Sequence, residues 1–320
     1  MKTTRQYNSG AALRTAMEEH LKRISHEEAV DLQRLRRQVA FDRFLARLFR
    51  HGQTDWVLKG GYAMELRFHT ARATKDLDFT VRAKSAGVLE YLQDAGALDR
   101  GDFFSFRIGE AMKDLDGAPY GGARYPVEAI LADRTFVKFH LDVGVGDVIV
   151  EPVEVALTRD WLGFAGIDAP RVPMIQREQQ FAEKLHAYTL PRPAAPNSRV
   201  RDLVDLVLLI RSDTLDATRV IECLRRTFAR RDTHPVPSTL EAPPRVGPRR
   251  SPPWSKSARW RLRSPRHSQI WPATSMGWRC ATDAQVTPVP FGLRAAASKR
   301  QGNPGRARVI STYFQQLRGC

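Results

Sequence analysis

The amino-acid sequence predicts an α+β fold: a lobe built on a mixed β-sheet over residues 1–155, a helical lobe over 156–234, and a disordered tail over 235–320. Three observations lead there. Segments with a 3.6-residue apolar period alternate with period-two segments through the first lobe, whereas the body beyond residue 170 keeps only the helical period. Charge is divided unevenly, with 36 Lys+Arg against 33 Asp+Glu in residues 1–234 and 15 against 2 in residues 235–320. Those last 86 residues also hold 12 of the 20 prolines and 4 of the 6 tryptophans, so the net charge of +16 belongs mostly to the tail.

Residues 31–50 read as the first clear helix. Leu32, Leu35, Val39, Phe44, Leu45 and Leu48 fall near one face, with arginines on the others and Gly52 as the stop. Trp56, Val57 and Leu58 are strand-like, and Lys59, Gly60 and Gly61 open a further helix. Residues 73–82 alternate, placing Leu77, Phe79 and Val81 on one face and Asp76, Asp78 and Thr80 on the other. Residues 87–96 read as a helix, 103–109 and 125–131 as strands, and 136–150 as strand, glycine turn, strand. After Pro170 come helices over 178–189, 199–211 and 215–231, the second preceded by Asn197 and Ser198 as good N-caps. From Pro235 neither period is sustained, and proline recurs too often for a helix or a central strand.

Several classes fall away. No run approaches the ~18–20 apolar residues of a membrane span. The first residues carry basic groups without the apolar stretch of a secretory signal. Cys223, Cys280 and Cys320 are too few and too far apart for a disulfide framework or a zinc site. The expectation is a cytoplasmic protein with no membrane partner.

The residues best suited to chemistry are the glycine pair after Lys59 and the pair Asp76 and Asp78. Aspartates two apart on a strand point the same way, with Cα atoms ~6.6 Å apart. Both can then reach one divalent ion, or two ions ~3.5–4 Å apart, as phosphoryl and nucleotidyl transfer require. Such oxygen-rich sites suit Mg²⁺. Glycines at a strand-to-helix turn let backbone N–H groups approach phosphate, and Lys59 and Arg72 could add positive charge. The bland alternatives are a solvated strand face and an ordinary turn. Lys184 lies on an apolar stripe, either extending its amine to solvent or holding it toward an anion. Asp202 and Asp205 share a helix face, where favourable interaction with the helix dipole is the competing explanation. Asp142 is the candidate third carboxylate, with Lys138 and His140 on its face, or else a polar residue near a turn; Asp147, after Gly144 and Gly146, is the poorer choice.

Together, the run from Trp56 through Lys59, Gly60 and Gly61 to Asp76 and Asp78 resembles the first motif of the DNA-polymerase-β-like nucleotidyltransferase superfamily. Within it, the chain resembles the AbiE-type toxin nucleotidyltransferases (AbiEii, MenT-like) of type IV toxin–antitoxin systems. Gly61 stands where the superfamily has serine. Residues 181–187 are similar to the family's Glu-Lys helix motif, and Arg199, Arg201, Asp202 and Asp205 to its last motif. The resemblance covers about residues 30–235. It implies a nucleotidyltransferase lobe and a Mg²⁺-dependent transferase with NTP as substrate. It also implies Asp76, Asp78, Lys184 and Asp202 as catalytic residues, and Asp76, Asp78 and Asp142 as metal ligands. Lys59, Gly60, Gly61, Arg72, Thr74 and Asp205 are expected at the nucleotide. The implied acceptor is the tRNA 3′ end, the outcome blocked translation and growth, and the partner a cognate antitoxin encoded nearby. A nucleotidyltransferase acting on a protein or small-molecule hydroxyl, and a catalytically inactive basic RNA-binding protein, are the alternatives.

The tail has two readings. Its 13 arginines interspersed with tryptophan suit a disordered arm that binds single-stranded RNA. The preferred reading is a GC-rich gene translated out of frame from near Pro244, since the tail combines arginine, proline, serine, alanine and tryptophan with almost no acid.

Overall fold

The computed structural model describes residues 7–52, 55–82, 87–115, 118–192, 199–212 and 214–237. The expected tail from residue 238 onward, and the Asn197 and Ser198 caps, lie outside the described residues.

The chain opens with α1 (Gly10–Glu28), capped by Ser9, whose hydroxyl accepts from the Ala12 N–H. Sequence reading passed over this helix. Its signal is Leu13, Met17, Leu21 and Ile24, all buried at helical spacing, while His26, Glu27 and Glu28 are exposed. Helix α2 (Leu32–Leu48) follows behind an Asp31 cap. Then come β1 (Trp56–Lys59), α3 (Gly60–Arg67), β2 (Asp76–Val81), α4 (Val88–Ala97), β3 (Phe104–Ile108), the two-residue β4 (Lys113–Asp114), β5 (Gly122–Leu131) and β6 (Arg134–Val145). The body closes with β7 (Glu154–Leu157), β8 (Arg171–Met174), α5 (Arg177–Thr189), α6 (Val200–Arg211) and α7 (Ala217–Arg231).

The eight strands form one mixed sheet in the order β3-β5-β6-β2-β1-β8-β7, with β4 paired to β5. Two expectations need correction. Residues 136–150 are not strand, turn, strand: β6 runs unbroken through Gly144 to Val145. The turn comes at Gly146, whose φ of +85° and contact with the Tyr120 ring leave no room for a side chain. In addition, β7 and β8 extend the sheet to residue 174, so the purely helical part begins at α5. Each of these strands has only four residues, too few to establish an alternating pattern.

Alternation decides which sheet face does what. Leu77, Phe79 and Val81 of β2, with Phe139, Leu141 and Val143 of β6, are buried against α1 and α2. Phe41 of α2 meets Phe139 edge-on at 5.0 Å between ring centroids. Arg47, fully buried, donates to both Asp102 oxygens at 2.8 and 2.6 Å and to the Phe104 carbonyl, fastening α2 to the start of β3. A second apolar core joins α5, α6 and α7 to Met64 and Ala71. The remaining sheet face carries the polar residues of β2 and β6.

Candidate active site

Strand register assembles the site. Lys59 on β1 pairs with Asp78 on β2, Asp78 with Asp142 on β6, and Asp142 with Arg124 on β5. The result is a row across four strands reading cation, carboxylate, carboxylate, cation. Asp76 lies two residues from Asp78 on the same face, opposite His140, whose Nδ1 is 3.0 Å from the Asp76 carboxylate. The three aspartates expected to share a site therefore do share one sheet face. Among the described residues no three His, Cys, Asp or Glu side chains converge to form a ready-made metal cage.

Asp78 sets the electrostatic character. Burial, then the charge of Asp142, pushes its carboxyl up to about 6, against the pull of Lys184, Lys59 and the Gly61 N–H. Gly61 donates to the Asp78 carboxylate at 3.3 Å. Gly60 has a φ of +68°, and a Cβ there would lie 2.0 Å from an Asp78 oxygen. The glycine pair thus lets the backbone close on an aspartate, where the sequence led us to expect phosphate. Two oxygen-bearing groups of like charge, facing each other across one strand spacing, make a donor set that a hard divalent cation would fit and neutralise.

Lys59 is not free to meet a ligand. Its ammonium is 2.7 Å from Asp147 and 3.7 Å from Glu183, and Arg231 of α7 contacts the same two carboxylates at 3.0 and 3.6 Å. Desolvation opposes both charges in the Lys59–Asp147 pair. Glu183 and Asp147 nevertheless hold Lys59 above its ordinary range, and Lys59 with Arg231 hold Asp147 well below its own. Asp147, the poorer candidate for third carboxylate, is the anion of this internal cluster.

A second cluster lies one residue along α5. Lys184 bridges Asp202 and Asp205, each at 2.8 Å, and Arg72 reaches Asp205 at 3.1 Å. The Lys184 amine is therefore turned into an ion-paired cluster, away from solvent; burial works against its charge, but Asp205 and Asp202 raise its pKa. Arg72 Nε and Asp205 Oδ1 are buried without a partner in the described protein. Thr74, expected at the nucleotide, braces the chain ahead of β2: its N–H donates to Glu65 at 2.5 Å and its hydroxyl to the Asp76 carbonyl at 3.2 Å. Gln180 donates to the Gly60 carbonyl at 2.7 Å, so α5 touches the glycine turn as well as both clusters.

Sequence reasoning missed Arg124 and Gln180, and gave no role to Glu183, the glutamate of the Glu-Lys motif. Glu183 and Gln180 were findable as neighbours of Lys184 on α5. Arg124 carried no local signal, because its role depends on cross-strand register. A cavity of about 1360 Å³ lies elsewhere, at the opposite end of β1 and β2 around Asp55, Arg82 and Arg171.

A family model described as nucleotidyl transferase AbiEii toxin, type IV toxin–antitoxin system, matches residues 43–277. The chain belongs to this family. The AbiEii match extends 33 residues beyond Pro244, its last part falling outside the described residues. Among solved structures, the chain is similar to MenT4, a nucleotidyltransferase toxin of Mycobacterium tuberculosis H37Rv. That likeness has 20% identity and a TM-score of 0.50, covering 65% of this chain and 68% of MenT4. Two Helicobacter pylori structures, JHP933 and a putative nucleotidyltransferase, also match at 20% identity, with TM-scores of 0.41 and 0.40. Each covers 62% of this chain, and 80% and 83% of the respective match. No curated protein matches the chain. No described helix is long and apolar enough to cross a membrane.

Proposed function

We propose that this AbiEii-family chain transfers a nucleoside monophosphate from an NTP to an RNA hydroxyl, the tRNA 3′ end being the preferred acceptor, and that a cognate antitoxin counters the resulting block on translation. The observation that carries this reading is the pairing of Asp78 with Asp142 across parallel strands, with Asp76 beside them on the same face. In the reaction, the acceptor oxygen bonds to the α-phosphorus, the bond from that phosphorus to the bridging oxygen breaks, and pyrophosphate leaves.

Asp76, Asp78 and Asp142 are the residues that would hold Mg²⁺. The ion supplies neutralisation of the triphosphate and a lowered pKa for the attacking hydroxyl. Gly60 and Gly61 hold Asp78 in place, and Asp142 is the carboxylate we assign to receive the hydroxyl proton. Lys184 and Arg72 lie on the helical side, paired with Asp202 and Asp205, and the charge of Lys184 bears on Asp78. Lys59 acts at one remove, as the cation that keeps β1 and α5 together. Most of the rate enhancement in such a site comes from positioning and fixed charge.

The test is to incubate the purified full-length chain with bulk tRNA, Mg²⁺ and each α-labelled NTP in turn. Label should appear on tRNA with the wild-type chain and be lost with Asp76→Ala, whose thermal unfolding should match wild type. Equal labelling by both proteins would remove Asp76 from the site. Labelling of a protein or small-molecule acceptor in place of tRNA would reassign the substrate while keeping the chemistry.

A further inference from the structure

Arg124 stands directly across from Asp142 in the β5–β6 register. Its Nε and a terminal nitrogen donate to the two Asp142 oxygens at 2.7 and 2.6 Å, and the same guanidinium lies 3.7 Å from Asp76. One side chain thus covers two of the three carboxylates whose oxygens would otherwise face a divalent cation. Its side chain keeps 34% of its surface exposed, whereas the buried Arg47 is locked between Asp102 and backbone carbonyls. Lys59, at the other end of the row, is held by Asp147 and Glu183. Arg124 is therefore the cation in this row that can leave without opening a core.

We propose that Arg124 is a resident counter-ion that competes with the divalent cation for Asp142 and Asp76, and that it becomes a triphosphate contact when metal and nucleotide load together. The reason is exchange symmetry. A guanidinium fork fits phosphate oxygens as well as it fits a carboxylate, so leaving Asp142 for a triphosphate preserves a bidentate, charge-assisted pair. A bare ion arriving alone must break that pair and offers the guanidinium nothing in return. Arg124 thereby disfavours metal without nucleotide and makes binding of the two cooperative. The inference rests on the reading of Asp76, Asp78 and Asp142 as the cation site.

The experiment titrates Mn²⁺ into the full-length wild-type chain, Arg124→Gln and Arg124→Lys. Free ion is followed by electron paramagnetic resonance, with and without an α,β-methylene triphosphate that cannot be cleaved at the reacting bond. Thermal unfolding checks that each protein is folded, and the lysine variant keeps the charge should glutamine prove too disruptive. Without nucleotide, Arg124→Gln should bind Mn²⁺ at least about tenfold more tightly than wild type, near the lower end of measured couplings between close charge pairs. Arg124→Lys should fall between them. The analogue should tighten Mn²⁺ binding in wild type more than in Arg124→Gln. Equal Mn²⁺ affinities in wild type and both variants, or equal tightening by the analogue, would overturn the counter-ion role while leaving the cation-site reading in place. Absence of Mn²⁺ binding in all three proteins under both conditions would overturn the cation-site reading and this inference with it.

Discussion

Asp78 and Asp142 hold the same register position on neighbouring parallel strands, so their carboxylates face each other across about 4.8 Å of strand spacing. Opposed like charges normally destabilise a sheet. Here Gly61, Lys59 and Arg124 surround the pair with donors and positive charge, which moderates the repulsion without abolishing it. The arrangement trades stability for a pre-formed anionic face, a common pattern at functional sites.

Replacing Asp78 by asparagine should lower transfer by roughly 10²-fold or more, the scale of losing one fixed electrostatic contact at a reacting centre. The same change removes half of the opposed charge, so the metal-free variant should unfold at the same denaturant concentration as wild type or a higher one. Urea unfolding in EDTA together with single-turnover transfer measures both. Lower stability and undiminished transfer would place the chemistry elsewhere.

Gly60→Ala should cost about 1–3 kcal/mol of stability, because alanine at a φ of +68° is strained and its Cβ would collide with Asp78. Transfer should fall with it, since the only relief is to move the Asp78 carboxylate. Unfolding midpoints and initial rates of the same preparation check the linkage. A second substitution, Asp78→Ala, should recover part of the stability and none of the activity.

The Lys59, Arg231, Asp147 and Glu183 cluster has two charges of each sign. Asp147→Ala should destabilise by about 3–5 kcal/mol, because it strands buried cations. Adding Lys59→Met should restore a substantial part of that loss. A double-mutant cycle on unfolding free energy measures the coupling. Additive losses would mean that the two residues do not share a cluster.

His186 is buried among Phe228, His234 and Arg231, near Asp147, and lies 2.9 Å from the Thr233 hydroxyl. Desolvation first, then the charges of Arg231 and His234, push its pKa down to about 4, with Asp147 opposing. An unfolded imidazole takes up its proton near 6.5, well before the folded one does. The contribution is therefore complete above pH 6.5 and lost as pH falls from there toward 4, by at most about 3 kcal/mol. His186→Gln should flatten this part of the stability profile, measured by urea unfolding between pH 4 and 8. His234, also lowered by desolvation, contributes in the same direction, and His234→Gln separates the two.

Much of this site was legible because strand alternation is a local rule. Asp76, Asp78 and the buried Leu77 and Phe79 announce their faces within six residues. Helices α2, α5, α6 and α7 were equally visible from their apolar spacing. What could not be read is contact between distant segments. The Arg124–Asp142 pair spans a β5–β6 hairpin with a register shift at Ala129 and Ile130, so counting residues does not bring them together. Lys59 and Lys184 were recognised as important cations, yet their pairing with Asp147 and Asp205 depends on how the helices dock on the sheet. In the tail, composition points to a break near Pro244, while the family match continues to residue 277.

The four-strand charged row also bears on how faithfully the chain folds. Side chains alternate along β6, so a slip of one residue would carry Asp142 into the greasy interior and bring Leu141 or Val143 out to water. The misaligned form loses core packing and active-site geometry at the same moment. A correctly aligned sheet is thus the proofreading step for the chemistry: molecules compact enough to survive are, by the same constraint, assembled to act.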